Sequence, residues 1–252
     1  MNIQSATDLV TALGTDAFPD RLLQLAECAV AHDAAALMLF RPASPPLVLV
    51  DRLKPAERGT LYGDYMHGVY LLSPFYRAAQ GLRAPLVARV KQVAPQGFTA
   101  SEYYRRYFSR IGVTDMLGLL LPCGGGASLF ISLSRSEGRL RFSAADVRQA
   151  TGLVPLLAAA TARHIALGGA ISAASTAKTS VNPSAKPPST ALTKREAEVV
   201  TLILEGHSSP SLAARLRISS ETVRVHRRHI YAKLRISSQA ELFHWFLAVL
   251  GT

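Results

Sequence analysis

A low-complexity segment divides this chain and argues against one continuous core. Between about residue 169 and residue 191 the sequence consists almost entirely of Ala, Ser, Thr and Pro, with two lysines as its charged residues. Such a segment buries too little apolar surface to offset the entropy of ordering it, so we expect a flexible linker over 169–191. The sequence therefore predicts one domain over residues 1–168 and a second, smaller domain over residues 192–252.

The charge of the chain favours a polyanionic partner. Lys and Arg number 28 against 17 acidic residues in 252, a formal net charge of +11. The densest part lies between Arg215 and Arg235, which includes seven basic residues and only one acidic residue, Glu221. A local excess of this kind is typical of a surface that meets nucleic acid.

Several classes of protein are not expected. Two cysteines make no disulfide framework, and no Cys/His cluster has the spacing of a zinc site. The first residues lack the basic flank and apolar run of a signal peptide, and no apolar stretch approaches the ~20 residues of a membrane helix. We expect a cytoplasmic protein without membrane contact, metal or cofactor.

Four helix starts are predicted in residues 192–252. Each has a hydroxyl side chain that caps backbone amides, and all but the third also have a partner that supports a first turn, either Glu three residues later or Pro. The predicted starts are Thr193–Glu196, Ser209–Pro210, Ser219 or Ser220, and Ser238–Glu241. The sequence thus predicts an all-α four-helix domain.

The third of these helices has two distinct faces. At ~100° per residue, Val223, Ile230 and Leu234 fall on one side, while Arg224 and Arg228 fall on the other. An apolar side facing a core and a cationic side facing outward suit a helix that lies in the major groove of DNA.

These segments resemble the LuxR-type helix-turn-helix. The resemblance rests on residues 192–200, 205–206, 212–216, 222–227 and 233–234. It implies that the third helix enters the major groove, with Arg224, Val225 and Arg228 as readers of bases. It further implies phosphate contacts by Thr222, Lys233 and the amides near Ser209 and Ser220. The fourth helix often supplies a dimer contact in that family, which points to Leu242, Trp245, Phe246 and Val249.

Residues 1–168 show mixed helical and strand patterns. Alternation, turn signals and apolar periodicity predict a helix at 22–30, strands at 34–40 and 47–50, helical pieces over 55–81, an extended segment at 85–93, helical turns at 99–111, a hairpin of 117–122 and 127–134, and a helix at 143–164. This order favours a GAF- or PAS-like α/β/α sandwich with a central antiparallel sheet. The whole chain is then an α+β protein.

Aromatic side chains concentrate in two groups of the first domain. Tyr62, Tyr65, Tyr70 and Phe75, with Arg77 nearby, are candidate walls of a ligand pocket or ordinary core, and the sequence leaves both readings open. A second group, at positions 103, 104, 107 and 108, is interpreted as core.

Residues that autoinducer-binding domains use to hold their ligand are missing here, and this restricts the chemical class of the expected signal. Residues 70–74 resemble the Tyr and Asp-Pro segment of autoinducer-binding domains, yet Ser73 stands where those domains use aspartate, and the single tryptophan is Trp245. We therefore expect a signal other than an acyl-homoserine lactone. Residues 71–76 and 101–104 are more similar to the N-terminal domains of LuxR-type regulators with unknown ligands. The acidic pattern of a phosphorylated receiver domain is not present.

The leading hypothesis is a homodimeric bacterial transcription regulator. We expect it to bind a short inverted repeat of double-stranded DNA under the control of a small-molecule effector, with RNA polymerase as a further candidate partner. One alternative is control by a protein partner of the first domain. Another is an enzyme-like domain using Cys123 with His67 or His164, although we expect no catalytic site.

Overall fold

The N-terminal domain is built on a five-stranded antiparallel sheet. The computed structural model describes residues 3–42, 44–66, 69–171, 192–204, 207–239, 241–242 and 245. The sheet has the order β2-β1-β5-β4-β3, and each neighbouring pair is antiparallel. Its strands are β1 (Ala34–Phe40), β2 (Leu47–Arg52), β3 (Leu86–Arg89), β4 (Val113–Pro122) and β5 (Ser128–Ser136). The predicted hairpin is confirmed as β4 and β5.

Helices cover both faces of this sheet. Those of the N-terminal domain are α1 (Ile3–Thr11), α2 (Phe18–Glu27), α3 (Pro55–Thr60), α4 (Pro74–Ala79), α5 (Val90–Val93), α6 (Glu102–Arg106) and α7 (Ala144–Ala166). Short 3-10 or π turns lie at 61–65, 69–72, 98–100 and 108–110. Together with the sheet, they confirm the predicted α/β/α sandwich.

Alternation along the strands separates two apolar cores. On β5, Leu129, Ile131 and Leu133 face the core formed with α1, α2 and α7. Phe130 faces the other core, under the segments between β2 and β4. Because successive strand side chains point to opposite faces, one strand contributes to both cores.

Some local predictions were wrong. Residues 90–93 form α5 instead of continuing the extended segment, because the Gln92 side chain accepts a hydrogen bond from the backbone of Arg89 and begins a helical turn. The α1 helix was not predicted. The helix expected over 99–111 is broken at Tyr107, whose φ and ψ are −121° and −67°.

The C-terminal domain contains three helices with fully described bounds. They are α8 (Lys194–Leu204), α9 (Ser209–Leu216) and α10 (Ser220–Leu234), and they pack around Val199, Ile203, Leu212, Val223, Ile230 and Leu234. The capping box at Thr193 is confirmed. At the fourth helix the Ser238 hydroxyl accepts the amide of Glu241 as predicted, but the Glu241 carboxylate accepts the backbone amide of Ser237. The cap of α9 is Ser208, whose hydroxyl accepts the amide of Ser211, and not Ser209 as predicted. With Ser209 already helical, Pro210 lies at the second helical position.

Two predictions fall partly outside the described residues. Of the linker predicted over 169–191, only 169–171 are described, and the predicted fourth helix is described at Gln239, Glu241, Leu242 and Trp245. In the described part of the chain, no helix is long and apolar enough to cross a lipid bilayer.

Candidate DNA-binding surface and candidate ligand pocket

The α10 helix is fixed at both ends and along one face. The hydroxyl of Ser219 accepts the amide hydrogen of Thr222 at 3.0 Å, which caps its start, and Arg235 ends it in a left-handed conformation. Val223, Ile230 and Leu234 are buried against α8 and α9. The opposite face of α10 is therefore held outward at a defined angle.

Arg224 and Arg228 lie exposed on that outer face, as the helical arithmetic predicted. Arg224 donates to Glu221 at 2.8 Å, but both side chains are about 70% exposed (71% and 72%). An ion pair this exposed contributes at most about 1 kcal/mol, so a phosphate or base edge can replace it. Val225, beside them, is half-buried.

Arg227 has a structural role that the sequence analysis missed. Its guanidinium donates to the hydroxyls of Ser209 at 3.4 Å and Tyr231 at 2.9 Å, and to the side-chain carbonyl of Gln239 at 3.1 Å. These contacts join α9, α10 and the start of the fourth helix. The five fixed donors of Arg make such a three-way connection feasible, whereas spacing along one helix gives no sign of it.

Lys233 is held by the capping box of α8. Its ammonium group donates to Oε2 of Glu196 at 2.7 Å, and the same oxygen accepts the amide and the hydroxyl of Thr193, both at 2.8 Å. These bonds, led by that of Lys233, lower the pKa of Glu196 to about 2. The Lys233 side chain is 38% exposed, so solvent partly reaches the ammonium group.

Two of the four residues proposed for dimerisation are described, and both lie against the core of their own domain. Leu242 is fully buried in the core of its own domain, and Trp245 packs against the same core. Because a side chain buried inside one protomer offers little surface to a second, this burial does not support Leu242 as a dimer contact, and its role in dimerisation stays a prediction. Phe246 and Val249 lie outside the described residues.

The two aromatic groups of the N-terminal domain form a single cluster. Tyr65, Tyr70 and Phe75, for which the sequence left pocket wall and core open, are buried together with the second group, which was correctly expected to be core. This aromatic cluster comprises Phe40, Tyr65, Tyr70, Phe75, Tyr76, Phe98, Tyr103, Tyr104, Tyr107, Phe108 and Phe130. Tyr65 and Tyr107, for example, have ring centroids 4.9 Å apart.

Ser73 lies at the centre of the polar groups in this cluster. It is buried and caps α4, and its side chain hydrogen-bonds the hydroxyls of both Tyr65 and Tyr103. Burial raises the pKa of both phenols far above the ordinary value of 10, so they remain neutral donors and acceptors. The place where autoinducer-binding domains use a carboxylate is thus occupied by an uncharged hydroxyl network.

Tyr62 and Arg77 lie apart from these buried walls. Tyr62 is 43% exposed, and its hydroxyl donates to Oδ2 of Asp51 at 2.9 Å. Burial and this bond raise the pKa of Tyr62 to about 12. Arg77 is half-buried on α4. Both residues were grouped with Tyr65 because they are close to it in sequence. Tyr62 lies in the π turn at 61–65, and its side chain is exposed instead of buried with Tyr65.

Gly118 provides a close approach that the sequence analysis also missed. A Cβ atom at this strand position would lie 2.3 Å from a ring carbon of Phe75 and 2.8 Å from one of Phe130. Only glycine lets both rings rest on the sheet. The signal was available as an isolated glycine inside a predicted strand.

Two residues of the alternative enzyme site, His164 and Cys123, are packed against the core of the N-terminal domain. His164 is fully buried, stacks on Phe18, and its Nδ1 accepts the amide hydrogen of Gly14 at 3.0 Å. Burial raises the pKa of the half-buried Cys123 thiol, which disfavours the nucleophilic thiolate. His67 lies outside the described residues.

Comparison with known proteins agrees with this architecture. Residues 190–246 match the family described as bacterial regulatory proteins, luxR family. The HTH-type transcriptional regulator named for the exeN 3′ region of Aeromonas salmonicida is 34% identical over 183 residues, spanning 69% of this chain and 92% of that protein. The chain belongs to the LuxR family of bacterial regulatory proteins.

Two further known proteins are similar to different parts of this LuxR-family regulator. The oxygen regulatory protein NreC of Staphylococcus epidermidis is 38% identical over 64 residues, which is 25% of this chain and 29% of NreC. The crystal structure of the LBD domain of VqsR from Pseudomonas aeruginosa is 28% identical with a TM-score of 0.54, covering 66% of this chain and 95% of that one. The regulator thus joins a LuxR-type DNA-binding module to an N-terminal domain that is similar to a LuxR-family LBD.

Proposed function

We propose that this transcription regulator binds a short inverted repeat of DNA as a homodimer, through the outer face of α10. The observation that carries the proposal is the exposure of Arg224 and Arg228 opposite the buried Val223, Ile230 and Leu234. A helix held this way presents guanidinium groups to the major groove, where Arg pairs with guanine edges. Two-fold symmetry of a dimer would be matched by an inverted repeat.

The remaining contacts are assigned to the phosphate backbone. Thr222 and the amides near Ser209 and Ser220 lie at the starts of α9 and α10, where helix N-termini favour anions. Lys233 contributes from the far end of α10, and Val225 provides a small apolar contact. Phosphate contacts would position the helix, and the two arginines would supply specificity.

The proposal is tested by replacing both arginines together. A duplex selected by the full-length protein from a random-sequence pool serves as the probe. Because each good guanidinium–base pair contributes about 1–3 kcal/mol of discrimination, Arg224→Ala with Arg228→Ala should reduce binding to the selected duplex by roughly 100-fold and abolish its preference over random DNA.

The matched control removes the same charge elsewhere. Arg148 and Arg163 are exposed on α7 of the N-terminal domain. Their double replacement by Ala should change affinity by about twofold or less, because only long-range electrostatics is altered. Sequence-selective binding that survives in the Arg224/Arg228 variant, or falls equally in both variants, would reject this assignment of α10.

We further propose that the aromatic cluster receives an uncharged small-molecule effector other than an acyl-homoserine lactone. The support is the neutral hydroxyl network of Ser73, Tyr65 and Tyr103, which offers hydrogen bonds without a carboxylate. A thermal-shift screen of the full chain against intracellular metabolites tests this. A ligand at 100 times its Kd adds about 2.7 kcal/mol to the stability of the domain.

The variant Tyr70→Phe separates a site in the cluster from one elsewhere. The variant removes a hydroxyl while keeping the ring. A metabolite that binds in the aromatic cluster should therefore raise the melting temperature of this variant less than that of the wild type. The rim variant Tyr62→Phe is the control and should leave the shift unchanged. A screen without hits, or hits that Tyr70→Phe and Tyr62→Phe affect equally, would count against the cluster as the effector site.

A further inference from the structure

A cleft of about 750 Å³ lies between the N-terminal and C-terminal domains. Ala100, Ser101 and Arg105 line it from the N-terminal domain. The C-terminal domain lines it with residues from the start of α9, from α10 and from the segment after α10. Sites that hold a small organic molecule have volumes of roughly 300–1,000 Å³, so the cleft has the size of a ligand site.

Four guanidinium groups line this cleft. They belong to Arg105 of the N-terminal domain and to Arg224, Arg227 and Arg228 of α10. None of the described lining residues is acidic, and Glu221, which pairs with Arg224, is not among them. Like charges that line one cleft repel each other unless an anion lies between them. The cleft is therefore suited electrostatically to a small ligand with several negative charges.

Two of these arginines, one on each wall, are held in place by hydrogen bonds. Arg227 is oriented by its bonds to α9, to its own helix and to the start of the fourth helix. On the other wall, Nη1 of Arg105 donates to the carbonyl of Ala100 at 3.2 Å. A side chain that is already ordered loses less conformational freedom when it binds an anion. Each domain thus supplies a cation whose position is set before a ligand arrives.

Two further features of the cleft suit an organic phosphate. Ser209 and Pro210 line it at the start of α9, and the start of this eight-residue helix favours negatively charged oxygens. Tyr231 and Ile236 are half-buried and form an apolar part of the lining, against which a planar ring can pack. Arginine forks match phosphate oxygens in geometry as well as in charge. Cations beside an apolar wall fit a nucleotide better than an inorganic anion.

We propose that this cleft binds a nucleoside diphosphate or a ligand of the same class, in which two or more phosphates are attached to a planar ring. The phosphates lie between Arg105 and the arginines of α10, and the ring lies against Tyr231 and Ile236. This site is separate from the aromatic cluster, and the inference does not rest on the base-reading role of α10. No DNA contact is assigned to Arg105, so this residue distinguishes a nucleotide phosphate from a DNA phosphate.

Isothermal titration calorimetry of the full chain tests the class of ligand. The probes are ADP and GDP, with adenosine and inorganic pyrophosphate as comparisons. The better of the two nucleotides should bind about tenfold more tightly than adenosine, which lacks the charge-assisted hydrogen bonds to arginine. It should bind about threefold more tightly than pyrophosphate, which lacks the ring. No binding of either nucleotide, or an equal affinity for adenosine or pyrophosphate, would overturn the proposal.

Variants of Arg105 locate the binding site. Arg105→Ala removes the guanidinium that the N-terminal domain contributes and should weaken nucleotide binding about tenfold. Arg105→Lys keeps the charge without the planar fork and should weaken it about threefold. Arg83→Ala is the matched control, because Arg83 is exposed on the same domain and is not among the described lining residues; it should change affinity by about twofold or less. Equal losses for Arg105→Ala and Arg83→Ala would refute the site.

The same variants separate a nucleotide site from a contact with DNA. The probe is a labelled random-sequence duplex of about 30 base pairs in about 50 mM salt, where non-specific contacts bind well. Arg105→Ala should bind this duplex within about twofold of Arg83→Ala, since both lose one distant charge. If duplex affinity falls by the same factor as nucleotide affinity, the cleft belongs to the DNA surface and the proposal is wrong. If the wild type binds nucleotide but no DNA, the proposed function fails and the nucleotide site stands.

Discussion

Replacing Glu196 with Gln should destabilise the C-terminal domain by about 2 kcal/mol at neutral pH. The change keeps the size of the side chain and an oxygen that can accept the amide of Thr193, but it removes the charge that Lys233 and the Thr193 hydroxyl contact. It therefore isolates the electrostatic contribution of this capping box.

The magnitude follows from the pKa of the carboxyl group. A fall from 4.5 to about 2 corresponds to roughly 3.5 kcal/mol, at about 1.4 kcal/mol per pKa unit. Glu196 itself is 5% exposed, but Lys233 is 38% exposed, so solvent screens part of the attraction. The retained amide bond reduces the loss further, which leaves about 2 kcal/mol.

The sign of the pH dependence is also fixed. A folded-state pKa below the unfolded value gives stability that is present above about pH 4.5 and is lost as the pH falls through about 2. The difference between wild type and Glu196→Gln should therefore be constant from about pH 7 to pH 5. It should shrink as the pH is lowered further toward 3.

Trp245 makes the assay selective. It is the only tryptophan in the chain and packs against the core of the C-terminal domain, so its fluorescence during urea unfolding reports that domain within the full chain. Glu198→Gln is the control, because Glu198 pairs with Arg195 while both side chains are partly exposed (44% and 38%), and it should lower the free energy of unfolding by less than about 0.5 kcal/mol. Equal losses for the two variants, or a loss at Glu196 that is unchanged between pH 7 and pH 3, would refute the reasoning.

Three further changes test the N-terminal domain, each measured by urea unfolding followed by far-ultraviolet circular dichroism. Gly118→Ala should lower the free energy of unfolding by about 2–3 kcal/mol, because the added Cβ forces two aromatic rings off the sheet. Gly59→Ala, in open space, should not lower it, and equal losses for the two variants would contradict the packing around Gly118. His32→Gln should cost about 1 kcal/mol near pH 6 and nothing near pH 9, because Glu27 raises the pKa of His32 and the stabilisation is lost as the pH rises through that value. Arg135→Met should cost about 3 kcal/mol because three backbone carbonyls lose their donor, and a loss under 1 kcal/mol would show that water replaces it.

The helices of the C-terminal domain were predictable because their signals are local. Caps, a proline in the first turn and a 3.6-residue apolar period act over neighbouring turns, so Thr193 and Ser238 could be recognised from the sequence alone. The cap of α9 is the exception. Whether Ser208 or Ser209 caps α9 depends on backbone conformation, since either hydroxyl satisfies the sequence pattern.

The candidate ligand pocket was only half predictable. The sequence showed tyrosines at residues 62–76 and 103–107 but gave no reason to join them, because the contacts span about 40 residues of chain. Residue type also did not distinguish Tyr62, which faces solvent and Asp51, from the buried Tyr65. Their difference arises from a π turn, which has no strong sequence signal.

The sequence by itself determined most of the elements and the cationic face of α10, because periodicity, caps and charge are properties of neighbouring residues. Only the tertiary structure decided which side chains meet. It placed Ser73 between two tyrosines and Arg227 among three helices. Contacts between residues distant in sequence depend on how whole elements pack, and no local pattern records that packing.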